Sequence, residues 1–264
     1  MLTADQSAAA PGGQPLHLAL LAALPLEVRP FLRSRPARPL KDLDLQLWEF
    51  PVGEGRGVLA LTGMGEERAR RATLKLLARY RPKILISCGF AGALTPEALP
   101  GSVVLGTSFW HYQPGDGSLR EIAAPPPPRP LAEAHQCLKA AGLPAFLGSC
   151  ITTPQVIHKG SQGGALLHLP CPVLDLESSA VAEVAAPRNL PLLGIRVVTD
   201  GPGEEIPDFL AREVESGSMP SLKTVLTWLA TDPRRLAVLL HLRRRAKTAA
   251  HHLALALNAL MVWV

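Results

Sequence analysis

Residues 58–92, VLALTGMGEERARRATLKLLARYRPKILISCGFAG, decide the fold. Val58 to Thr62 is a short apolar run and reads as a strand. Thr62-Gly63-Met64-Gly65 breaks it. Glu66 to Tyr80 then follows a helical period, with Ala69, Ala72, Leu74, Leu76 and Leu77 on the apolar side. Lys83 to Ser87 is a strand of the fully buried type, ending in the small residues of Cys88-Gly89-Phe90-Ala91-Gly92. Strand, helix and strand in so short a span form a βαβ unit, with two parallel strands and a crossover helix on one face of the sheet.

The same alternation runs outward in both directions. Upstream, Leu16 to Leu24 is an apolar run, Glu27 opens a helix-like segment that Pro30 restricts to a start, and Leu45 to Val52 alternates like a half-buried strand before a turn at Gly53 to Gly57. Downstream, Ser102 to Thr107, Ala145 to Cys150, Val173 to Leu176 and Leu192 to Val198 read as strands. Leu131 to Ala141 and Ser178 to Ala186 read as helices, the second ended by Pro187, and Gly115 to Pro130 reads as loop. Ser221 to Leu260 is helical with one break near Pro233. The expected class is α/β: three α/β/α layers around a twisted, mainly parallel mixed sheet. Residues 16–264 are expected to form one domain with a helical C-terminal part (about 220–260), and residues 1–15, which carry no basic run, a disordered leader.

Composition narrows the class. Of 264 residues, 47% are hydrophobic and 19% charged, enough for a core and too apolar for a chain disordered throughout. The 26 prolines follow no G-X-Y period, which excludes collagen. Cys88, Cys137, Cys150 and Cys171 lie far apart with no C-x-x-C pair, so neither a zinc site nor a disulfide framework is expected, and the natural compartment is a reducing cytoplasm. Leu18 to Leu26 is interrupted by Pro25 and is far short of the ~20 residues of a membrane span. The net charge of +5 is concentrated at Arg234, Arg235, Arg243, Arg244, Arg245 and Lys247.

In α/β folds ligands bind beyond the carboxyl ends of the strands. The residues to question are therefore Glu27, Gly63, Gly89, Gly92, Val156, Glu177 and Asp200. Gly63-Met64-Gly65 lacks the third glycine of a dinucleotide fingerprint, since Arg68 stands there, and a tight turn explains it better. Cys88 has no histidine beside it in sequence and reads as a small buried residue. Asp175 and Glu177 share a side if the strand persists, which suits a polar ligand; the competing reading is that they cap the helix beginning at Ser178. Asp200 ends an apolar strand, or simply begins a turn before Gly201.

AALPLEV at 22–28, TGMG at 62–65, CGFAGAL at 88–94, LDLES at 174–178 and RVVTD at 196–200, in this order, resemble the purine nucleoside phosphorylase/methylthioadenosine nucleosidase superfamily. The resemblance covers about residues 16 to 210. It implies cleavage of the N-glycosidic bond of an adenosine-type nucleoside. Asp200 would be the acid at purine N7, Glu177 would bind the ribose hydroxyls and Glu27 would orient the attacking water. Val156, Ile157 and Leu176, with Gly89 and Phe90 of the glycine-rich loop, would line the substrate pocket. Burial beside Val197 and Val198 would keep Asp200 protonated. The phosphorylases' arginine before the glycine-rich loop is replaced by Ser87, and their G-D-P turn by Leu24-Pro25-Leu26, which favours water over phosphate as nucleophile, with phosphate kept as a co-substrate to test. No cofactor or metal is implied.

The G-x-A-G-A-L loop, the D-(M/L)-E-S motif and the long basic C-terminal helix are similar to the hopanoid-associated phosphorylases, which implies adenosylhopane, a lipid-linked adenosine, as substrate. The alternatives are a methylthioadenosine/adenosylhomocysteine or futalosine nucleosidase and, in another class, a non-catalytic nucleoside-binding protein. The basic cluster lacks interleaved aromatics, so nucleic acid is not an expected partner. Its mixture with Leu236, Val238, Leu239, Leu240 and Leu242 suits either peripheral contact with an anionic membrane surface or a helix packed on the sheet with a solvated basic face. A homo-oligomer is expected by resemblance.

Overall fold

A computed structural model describes residues 16–41, 44–204 and 235–263. The expected leader and the break near Pro233 lie outside the described residues. Among the described residues, ten strands form one mixed sheet: β1 Leu16–Ala22, β2 Arg38–Leu40, β3 Gln46–Val52, β4 Gly55–Leu61, β5 Pro82–Ala93, β6 Val103–Gln113, β7 Ser118–Glu121, β8 Ala145–Thr152, β9 Val173–Asp175 and β10 Leu192–Asp200. The helices are α1 Pro25–Arg33, α2 Glu66–Arg79, α3 Leu131–Ala140, α4 Lys159–Gln162, α5 Ser178–Ala185 and α6 Arg235–Leu260.

The βαβ unit is present: β4 and β5 flank β1 and both run parallel to it. Order along the sheet is β10-β6-β8-β9-β5-β1-β4-β3-β2, and β10 also pairs with β5. That extra pairing closes β5, β10, β6, β8 and β9 into a ring, while β2, β3 and β7 extend the sheet by antiparallel pairing. Val28 and Phe31 of α1, Ala134 and Leu138 of α3 and the row Ala249, Leu253, Leu257 and Leu260 of α6 pack in one core. Ala69 and Leu76 of α2 and Ala180 and Val181 of α5 pack in another. Helices thus cover both faces, as expected for the class.

Several expectations need correction. Pro30 does not stop α1, which runs on to Arg33. A proline inside a helix costs about 3 kcal/mol. Burial of Val28 and Phe31 returns about 1.5–3 kcal/mol each, and the Phe31 ring meets Phe50 edge-on with centroids 5.3 Å apart. The glycine-rich stretch does not terminate β5 either. Cys88 to Gly92 pair with β10 on one side, and Gly92 and Ala93 pair with β9 on the other, so the ladder continues to Ala93. Leu74 of α2 is exposed, unlike Ala72 and Leu76. The short strands β2 and β7 were not anticipated. All four cysteines are free, and Cys88 is buried in the core.

Helix α6 divides in two. Its buried residues run from Ala249 to Leu260. The half before Ala249 carries the arginines and exposes Leu236, Val238 and Leu240. Among the described residues, no helix is long and apolar enough to cross a membrane.

Candidate active site

Segments at the carboxyl ends of β1, β4, β5, β8, β9 and β10 surround one cavity. The expectation that strand ends carry the ligand site therefore has a structural counterpart. Leu24, Met64, Phe90, Ile157 and Leu174 give it apolar walls, and Glu27, Asp175, Glu177 and Asp200 line it with carboxyl groups.

Glu27 sits in the first turn of α1 and is buried. Its Oε2 accepts from Leu24 N–H at 2.8 Å, and its Oε1 accepts from Phe90 N–H at 2.9 Å. A carboxylate offers about four lone-pair sites, so capacity remains for a water. Burial pushes its pKa above the usual carboxylate range, against the pull of those N–H groups and Arg196. Gly89 is essential to this placement: a Cβ there would lie 2.7 Å from Glu27 Oε1. Gly89 thus stands against Glu27 and is not among the residues that line the cavity.

Asp175 and Glu177 separate. The strand ends at Asp175, so the alternation that would put both on one side stops there. Asp175 is buried and accepts from Thr152 Oγ1 at 2.7 Å, from the N–H groups of Glu177 and Ser178 at 3.0 and 2.9 Å, from the Ser178 hydroxyl, and from Arg196 Nε at 2.8 Å. It caps α5, as the competing reading had it. Burial works against its charge, but Arg196 and then Ser178 outweigh burial and hold it below the usual range. Arg196 is itself fully buried and also donates to Ser87 Oγ at 2.8 Å and Ser178 Oγ at 2.7 Å. Ser87, at the place of the phosphorylases' arginine, is therefore part of the network under the cavity floor. The side chain of Glu177 takes no part in that network: it lines the cavity, as Asp175 also does at its edge, and accepts from Gly65 N–H at 2.9 Å. Burial first, and then the neighbouring Asp175, push it up to about 8.

Asp200 is the last residue of β10 and is buried. It is not isolated among apolar side chains as expected from Val197 and Val198. The ammonium of Lys159 pairs with its Oδ2, and Thr199 Oγ1 donates to its Oδ1 at 2.6 Å. The remaining Lys159 protons go to Asp200 O at 3.3 Å and Gly201 O at 2.8 Å. Gly92 makes the room: a Cβ there would meet Asp200 Oδ2 at 2.6 Å and Lys159 Nζ at 2.9 Å.

Val156 and Ile157, on the segment between β8 and α4, line the cavity together with Phe90 and Leu176. Sequence reading missed Lys159, Met64 and Thr153 as cavity residues. An arginine inside the apolar strand Leu192–Asp200 was a signal, because a buried charge requires a partner. Lys159 had none, since a lysine in the polar stretch HKGSQGG reads as solvated.

The fold and the cavity at its strand ends, lined by carboxyl groups among apolar side chains, define an α/β protein with one candidate ligand site among the described residues. Residues 17–225 match the phosphorylase superfamily, and the chain belongs to that family. It is 26% identical over 201 residues to a 5′-methylthioadenosine/S-adenosylhomocysteine nucleosidase of Shewanella sp. strain MR-7, covering 70% of this chain and 85% of the relative. It is 27% identical over 231 residues to the enzyme of that name from Geobacillus thermodenitrificans, covering 81% and 96%. Its fold is similar to that of the Neisseria meningitidis 5′-methylthioadenosine/S-adenosylhomocysteine nucleosidase solved with methylthio-immucillin-A, with TM-score 0.66, 19% identity and coverage of 93% of this chain and 98% of that one. It is also similar to Helicobacter pylori futalosine hydrolase, with TM-score 0.65, 13% identity and coverage of 92% and 97%.

Proposed function

We propose that this protein hydrolyses the N-glycosidic bond of an adenine nucleoside and releases adenine. The observation that carries the reading is the convergence of Glu27, Glu177 and Asp200 on one cavity in a member of this family. Breaking the bond builds positive charge on the sugar and negative charge on the base, so carboxylates beside the ribose and an acid beside the purine stabilise the transition state more than the ground state. In this reading Asp200 serves the purine, Glu177 the ribose hydroxyls and Glu27 the water. Val156, Ile157, Phe90 and Leu176 enclose base and sugar. Water is the proposed nucleophile because Lys159, the cation among the described cavity residues, is engaged by Asp200, while apolar Leu24 lines the cavity in the segment where the phosphorylases would have their phosphate turn. The named relatives favour soluble nucleosides such as 5′-methylthioadenosine as substrates.

The finer reading is a lipid-linked adenosine, adenosylhopane. Its support is the resemblance of the glycine-rich loop and of the DLES stretch, the apolar walls of the cavity, and the half of α6 that mixes exposed Leu236, Val238 and Leu240 with basic residues. A basic amphipathic helix on an anionic surface contributes on the order of 1 kcal/mol per basic residue. Homo-oligomeric assembly belongs to the same proposal. The deciding experiment is chromatography of adenosine, 5′-methylthioadenosine and adenosylhopane incubated with the protein, with and without phosphate. Adenine release without phosphate supports hydrolysis. Binding without any base release would leave a nucleoside-binding protein. Salt-sensitive co-sedimentation with anionic vesicles, lost on Arg243/Arg244/Arg245→Ala, supports the membrane contact, and its absence at low salt rejects it.

A further inference from the structure

The Lys159–Asp200 pair has a consequence for proton supply. In the substrate-free site both oxygens of Asp200 are engaged, Oδ1 by the Thr199 hydroxyl and Oδ2 by the Lys159 ammonium. A carboxylate in an ion pair has no proton of its own to give. Yet a departing purine needs one, since N7 protonation makes it a competent leaving group. Of the two donors on Asp200, the Thr199 hydroxyl is a far weaker acid than the ammonium of Lys159, which is buried and lines the same cavity. Lysine suits this task where arginine does not, because an ammonium surrenders its proton in a desolvated site and a guanidinium retains it.

We propose that the proton acquired by the leaving purine originates on Lys159 and is handed on by Asp200 Oδ2. This rests on the nucleosidase reading above. As the C1′–N9 bond breaks, its electron pair moves into the purine. The Nζ–H bond breaks as Oδ2–H forms, and Oδ2–H breaks as N7–H forms. Water bonds to C1′ and loses a proton to Glu27. Afterwards Glu27 releases that proton to solvent, and neutral Lys159 takes one up. Lys159 is thus a positioning and proton-supplying residue acting through Asp200. The backbone carbonyls of Asp200 and Gly201 that also accept from Nζ hold it in place. The other charged groups of the cavity are Glu27 from α1, Asp175 at the end of β9, which is paired with Arg196, and Glu177 just before α5. On the outer side stand Arg245 of α6, 3.4 Å from Thr199 O, and Glu204, which accepts from Gly201 N–H at 2.8 Å. Arg245 and Glu204 pair with each other, at 2.7 Å.

The test compares wild type, Lys159→Met and Lys159→Arg for adenine release from adenosine and 5′-methylthioadenosine between pH 5 and pH 9, with adenine affinity measured by calorimetry. At pH 8 both variants are expected to lose at least about 10²-fold in kcat/KM, the usual contribution of a positioned acid. The loss in Lys159→Met is expected to shrink at least tenfold at pH 5, because a buried carboxyl without its counter-ion takes a proton from solvent. Adenine affinity should change by less than about threefold, since no step of proton supply enters product binding. The proposal is overturned by a loss in Lys159→Met that is the same at every pH, by Lys159→Arg working like wild type, by no loss at all, or by collapse of adenine affinity. If the guanidinium does not fit, the pH dependence of Lys159→Met decides alone. A wild-type protein that binds adenine but releases none from either nucleoside would instead refute the nucleosidase reading.

Discussion

Glu177→Gln separates the catalytic reading of this residue from a structural one. The carboxyl is raised from 4.5 to about 8 by burial and by Asp175. Because its folded value lies above its unfolded value, the native state binds this proton more tightly. The favourable contribution is complete below about pH 4.5 and is lost as pH rises toward about 8. At about 1.4 kcal/mol per unit, the loss between pH 5 and pH 8 is at most about 3–4 kcal/mol; the side chain is partly open to the cavity, so about 1–3 kcal/mol is the working figure. Glutamine keeps an oxygen to accept from Gly65 N–H but cannot ionise, and so escapes the loss. Urea unfolding at pH 5 and pH 8 should therefore show the variant close to wild type at pH 5 and about 1–3 kcal/mol more stable at pH 8. Adenine release should fall at least about 10²-fold, because the carboxyl that would hydrogen-bond the ribose, and ionise against the positive charge developing on it, is gone. A variant less stable than wild type at pH 8, or one that turns over normally, would refute the placement of an unfavourable carboxylate at the substrate.

Three further outcomes follow from the geometry. Asp200→Asn should abolish base release while nucleoside binding, read by calorimetry, remains; near-normal turnover would remove Asp200 from the mechanism. Gly92→Ala should cut adenine release by at least about tenfold with a smaller effect on melting temperature, because its Cβ would enter the space of Asp200 Oδ2 and Lys159 Nζ. Asp175→Ala strips a fully buried arginine of its counter-ion and should cost about 3–5 kcal/mol in urea unfolding, whereas a loss under 1 kcal/mol would mean that Arg196 finds other partners.

Much of this site was legible because it lies at strand ends. Glu27, Glu177 and Asp200 could be picked out by asking which polar residues follow apolar runs, and all three face the cavity. The same reasoning did not foresee that the missing side chain of Gly89 makes room for Glu27. It left open whether Asp175 and Glu177 act together, because that depends on where β9 stops. Hydrogen bonds to the next helix end the strand at Asp175, and periodicity does not register them.

By itself the sequence determined the α/β class. Apolar runs of strand length alternating with a helix-period segment can bury their faces only as parallel strands with crossover helices. It also determined that carboxylates stand where such strands end. Tertiary structure alone decided the closure of the ring through β10 and β5, the diversion of Asp175 to Arg196, and the arrival of Lys159 at Asp200 across 41 residues of chain. The physical reason is that a buried charge is tolerable only beside an opposite one, and which charge that is depends on distance through space. Local patterning reports burial; it carries no record of the partner.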